Sequence, residues 1–150
     1  MIPATIWTTI KELLECEEGL DYIKRVFEGR RFDIEPESLP CLMMEISADS
    51  PPERRANNVD LQTLEIDIYG FSSNNFNDGR KLIIGDNNYK GVLDVYQNLQ
   101  KVIKDNSTLG ETVYDIKMGR AIFDSIDIGK YPVRGFLLPL QIVYRQTDGE

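Results

Sequence analysis

Through LQTLEIDIYGFSS, Leu61–Ser73, an acidic side chain falls at every second central position, Glu65 and then Asp67, with Leu64, Ile66 and Ile68 around them. A third carboxylate, Glu45, stands in another alternating run, CLMMEIS. Such acids with a lysine, here Lys81, could serve a histidine-free, Mg²⁺-dependent nuclease, because Mg²⁺ needs only one or two protein carboxylates. The same spacing has a plainer reading. Side chains alternate faces along a strand, so Leu64, Ile66 and Ile68 take the core side, while Glu65 and Asp67 face solvent or a neighbouring subunit. Glu45 can join them on that outer face. Alternation alone does not gather metal ligands in a pocket, and no spacing singles out the nuclease set.

Other chemistry is sparse. The chain has no histidine, which removes the commonest neutral-pH base and every Ser-His or Cys-His arrangement. GDNNYKG has a lysine between two glycines but not the spacing of a phosphate-binding loop. Cys16 and Cys41 form no metal motif and read as two reduced thiols. No cofactor is implied. A small-ligand module remains open, since a concave pocket cannot be read from sequence. With 17 basic against 25 acidic residues, a net charge of −8 and a pI near 4.6, bulk nucleic-acid binding is disfavoured. The basic pairs Lys24-Arg25, Arg30-Arg31 and Arg54-Arg55 are scattered. The start MIPATIWTTI lacks the pattern of a signal peptide, and no apolar run is long enough to span a bilayer. The expectation is a soluble, intracellular single domain over residues 1–150.

The elements that must position these residues follow from periodicity. Ile6, Ile10, Leu13 and Leu14 mark an N-terminal helix after Pro3. Leu20, Ile23, Val26 and Phe27 keep helical spacing and predict a short second helix over Leu20–Glu28. Pro36 and Pro40 bracket a turn before a strand over 41–47, and residues 48–60 form a charged, exposed loop before the acidic strand. Residues 72–91 are an Asn- and Gly-rich excursion in which LIIG is a strand fragment or part of a loop. Val92, Val95, Tyr96, Leu99, Val102 and Ile103 define a long amphipathic helix. TVYDIKM and AIFDSIDIG alternate and meet at Gly119, a hairpin or bulge. GFLLPLQIVYR is the closing strand, placed at a sheet edge or bulged at Pro139, which cannot donate a ladder hydrogen bond. Strands grouped in runs predict an α+β fold: a single, mostly antiparallel sheet with the long helix and the N-terminal helix packed on it.

In this order IKELLE, LPCLMMEI, LEIDIYGF, GVLDVYQNLQKVI, TLGETVYDI and LPLQIVYR resemble the neck and tail-completion proteins of long-tailed bacteriophages, closest to the tail terminators. The resemblance implies a structural virion protein without catalytic residues. It would form a homo-oligomeric ring, usually of six subunits, capping the tail tube protein and meeting the head-side connector or adaptor. Genome DNA would pass through without specific binding, and no membrane is involved. Its place would be the virion neck, and the host cytoplasm during assembly. The long 72–91 excursion departs from the pattern and leaves terminator, adaptor and other neck subunits open. In such a ring Glu65 and Asp67 could line the bore and repel the DNA backbone. The expected interface draws on the closing strand as an open edge, where outward Leu137 and Val143 lie beside unpaired backbone groups, with Arg145. It also draws on the 48–60 loop, whose Arg54 and Arg55 are either solvated or paired with a neighbour's carboxylates.

Overall fold

Ile6, Ile10 and Leu14 recur at intervals that stay on one side of a helix, and all three are buried along α1, Ile2–Cys16. The computed structural model describes residues 2–29, 34–49, 53–54, 60–73, 79–128 and 131–145. After α1 the chain makes a 3₁₀ turn over Glu18–Leu20 and enters strand β1, Arg25–Glu28. This corrects the helix predicted over Leu20–Glu28. Val26 packs on the main core while its neighbour Phe27 packs in a second cluster on the opposite side of the sheet. Two adjacent apolar residues committed to opposite faces suit a strand, not a helix. The backbone N–H groups of Lys24 and Gly29 tie the segment to Pro40 and Met44 oxygens at 3.0 and 2.7 Å.

Among the described residues the remaining strands are β2 (Cys41–Asp49), β3 (Glu53–Arg54), β4 (Asp60–Phe71), β5 (Asp115–Met118), β6 (Ile122–Ile128) and β7 (Tyr131–Arg145). They form one sheet in the order β1-β2-β4-β7-β5, with β3 also on β4 and β6 also on β7. β1 and β2 run parallel, and every other pair is antiparallel. The fold is α+β. One helix-bearing face holds the main core. There Leu42, Met44, Leu64, Ile66, Ile68, Phe136, Leu138, Leu140 and Ile142 meet α1 and the buried stripe of α3, Val92–Asp105. Of LIIG, Leu82, Ile83 and Ile84 end helix α2, Gly79–Ile84, which packs against α3, and Gly85 follows it at positive φ. Ser72 and Ser73 are buried and hydrogen-bonded. Each exchanges a backbone and a side-chain hydrogen bond, Ser72 with Arg134 and Ser73 with Lys90. The predicted 48–60 loop is shorter than expected, since β2 runs on to Asp49 and β3 pairs back on β4; residues 50–52 and 55–59 lie outside the described residues.

The closing strand is not an edge, so the edge contact between copies expected of it is not available. The register does slip by one residue beside Pro139, between Met118↔Leu140 and Ile122↔Leu137. β7 lies between β4 on one side and β5 and β6 on the other. β5 and β6 do not form a hairpin with each other. They lie end to end along β7, meeting near Gly119. Pro139 fits there for a specific reason. Its carbonyl accepts the Gly119 N–H at 2.8 Å, so its backbone faces the β5–β6 side. The missing N–H therefore falls at the junction where β5 has ended and β6 has not begun, outside the paired residues of either strand.

Candidate functional site on the carboxylate-bearing face

Strand alternation sends a second set of side chains to the face opposite the helices. At one corner Phe27, Ile34, Leu39, Cys41, Met43, Phe71 and Val133 form a small cluster, to which Ile34 and Leu39 contribute from the segment before β2. Burial pushes the Cys41 thiol up to about 12, against a smaller lowering by Arg25. Cys16 is exposed, and the two remain free thiols.

Beyond that cluster lie the carboxylates. Glu45 and Asp67 are directly opposite each other across β2 and β4, and Glu65 is two residues before Asp67 on the same face. All three are half-buried. Gln141 donates to Glu65 Oε1 at 3.4 Å, and Lys117 is the next residue across, opposite Gln141 on β5. Asp67 has its acidity weakened first by burial, then by the charges of Glu65 and Glu45. The alternation reading therefore holds: Leu64, Ile66 and Ile68 are buried in the main core, and the acids share the other face.

Of the metal-nuclease set, Glu45, Glu65 and Asp67 share one face, and Lys81 does not join them. No group of three metal-ligating side chains converges among the described residues. Lys81 stands on α2, where its ammonium lies 3.3 Å from Asp86. Of the predicted interface residues, Leu137, Val143 and Arg145 share the carboxylate face with Glu65 and Asp67, at alternate positions of β7. Leu137 and Val143 are half-buried, and Arg145 is exposed. The backbone of Arg54 lies in β3, and Arg55 falls outside the described residues.

One feature of this face escaped the sequence reading. In the row Phe71–Gly135–Asp124 the central residue has no side chain. A notch of about 190 Å³ opens there, lined by Tyr69, Phe71, Ile122, Leu137 and the rim carboxylate Asp124, with Gly135 as its floor. The signal was present in two separate places, a glycine opening GFLLPLQIVYR and an acid in AIFDSIDIG. Only the β6–β7 register joins them.

Among the described residues no helix is long and apolar enough to cross a membrane. No protein-family model matches this chain, and no curated protein matches it significantly.

Proposed function

We propose that this chain is a structural subunit of the neck of a long-tailed phage. In this reading it forms a ring, of six copies by the resemblance, that caps the tail tube and joins it to the head-side connector. The observation that carries the reading is the two-sided sheet. One face is clad by α1 and α3, while the other carries Glu45, Glu65 and Asp67 side by side. A ring built with such a face inward presents a carboxylate band to passing DNA, and like charge keeps the duplex from adhering. Heterologous contacts between copies close into a ring when the rotation divides the circle. The ring would sit in the virion neck after assembly in the host cytoplasm.

The test is native mass spectrometry and electron microscopy of the purified protein, alone and with isolated tail tubes. Closed rings, free or at one tube end, are the expected result. A monomer at every concentration that leaves tube ends bare overturns the reading. So does Mg²⁺-dependent DNA cleavage abolished by Glu65→Ala.

A further inference from the structure

The true edge on the β7 side of the sheet is formed in part by β6, which among the described residues pairs on one side only, with β7. Pro139 and Val143 carbonyls both accept from the β5 side, so odd-numbered residues of β7 turn their backbone groups that way. Gly135 is one of these, and it stands opposite Asp124. The backbone of Asp124 therefore faces β7, and those of Phe123, Ser125 and Asp127 face outward. The Ser125 N–H confirms the direction: it donates to the Asp124 carboxylate, Oδ1, at 2.8 Å. Two large apolar side chains flank this edge in solvent, Ile122 at 60 % and Phe123 at 43 % exposure. Phe123 stands edge-on to Tyr96 of α3 on the helix-bearing face, with ring centroids 5.1 Å apart. Ile122 and Asp124 border the Gly135 notch on the other face.

The geometry points to strand addition at β6 by an extended, basic segment of a partner polypeptide. Its backbone would pair with Phe123, Ser125 and Asp127, apolar residues would extend the Phe123–Tyr96 cluster, and an arginine or lysine would face Asp124. The long stem of that side chain would lie across Ile122 toward the aromatic walls of the notch. Charge selects the occupant. Asp124, exposed on the notch face, leaves the edge acidic, so pairing β6 with its own copy would bring like carboxylates to one edge. In the unbound chain Asp124 caps the outward Ser125 N–H. A cation from the incoming strand draws that carboxylate away and releases the donor for the ladder. The inference holds whether or not the subunit closes into a ring.

The probe is a fluorescent heptapeptide alternating arginine with valine. One control replaces arginine by glutamate, and another keeps the arginines but N-methylates alternate amides, preserving charge while blocking strand pairing. Anisotropy should show the arginine peptide binding at least tenfold more tightly than either control. Ser125→Pro removes an N–H that β7 does not use and should abolish binding, with an unchanged circular dichroism spectrum and melting temperature. Independently of that variant, hydrogen exchange on the wild-type protein should show the Phe123, Ser125 and Asp127 amides becoming protected on binding. Equal affinity for the arginine and N-methylated peptides overturns the inference. Protection elsewhere, with these three amides unchanged, also overturns it.

Discussion

At the scale of single residues, the informative site is Asp67, where a carboxylate is held against its own electrostatic interest. Burial and the charges of Glu65 and Glu45 raise its pKa above the ordinary value. For an acid this sign means a penalty on the folded state. The penalty is complete above the folded-state pKa and disappears as pH falls through it toward the ordinary carboxylate value. Asp67→Asn should therefore stabilise the protein at pH 7 by about 0.5 kcal/mol, within the range for directly opposed like charges on neighbouring strands. Urea unfolding at pH 7 and pH 3.5, in low and high salt, checks it. The gain should shrink at the lower pH and under screening, and a variant less stable at pH 7 would show that Asp67 makes a compensating contact. Cys41 gives a second test at this scale. It is fully buried with its thiol pushed up to about 12, whereas Cys16 is exposed. A thiol reagent should titrate one cysteine in the native protein and two in denaturant, because the thiolate is the reacting form.

At the scale of elements, much was legible because each periodicity has one physical cause. The stripe from Val92 to Ile103 is buried as read, and Leu64, Ile66 and Ile68 face the core against Glu65 and Asp67. The errors came where a local rule met a tertiary partner. Leu20 to Phe27 has helical spacing, but pairing with β2 outweighs it over Arg25–Glu28. Pro139 marked an edge or a bulge by the rule for prolines in sheets; the strand is not an edge, and the register slips beside Pro139 at a strand junction that no pattern in residues 136–145 reveals. Gly70 shows a readable signal of the same kind. A glycine inside a strand often marks a close approach, and a Cβ there would lie 2.3 Å from the Phe136 ring. That ring is held edge-on to Tyr96 with centroids 5.4 Å apart, so it cannot move without disturbing the β7–α3 contact. Gly70→Ala should cost roughly 1–3 kcal/mol, the usual range for overpacking. Adding Phe136→Leu should return part of the loss. Thermal melts of the two single variants and the double variant decide it: additive losses would mean that Gly70 is needed for its backbone and not for the space it leaves.

At the scale of the whole molecule, a net charge of −8 says little by itself, but its placement does more. Glu45, Glu65 and Asp67 share the face opposite the helices, so copies arranged around an axis with that face inward would superimpose their fields across the passage. Such a field cannot be read from one subunit's sequence, because it depends on a symmetry that composition does not encode. It can be tested by reversal. A variant with Glu45→Lys, Glu65→Lys and Asp67→Lys should turn this acidic face into one that grips phosphate. If the face lines a closed passage, variant rings assembled around duplex DNA should retain covalently closed circles and lose linear duplex by sliding off its ends. The wild type should retain neither. At equilibrium the variant's affinity for linear duplex should fall on the order of 10³–10⁵ between 50 and 200 mM salt, the range for six to ten phosphate contacts. Circles kept at a salt concentration that releases linear DNA of equal length would show that the DNA runs through the ring. Both forms released together across the salt range would place these carboxylates on an outer surface of the assembly.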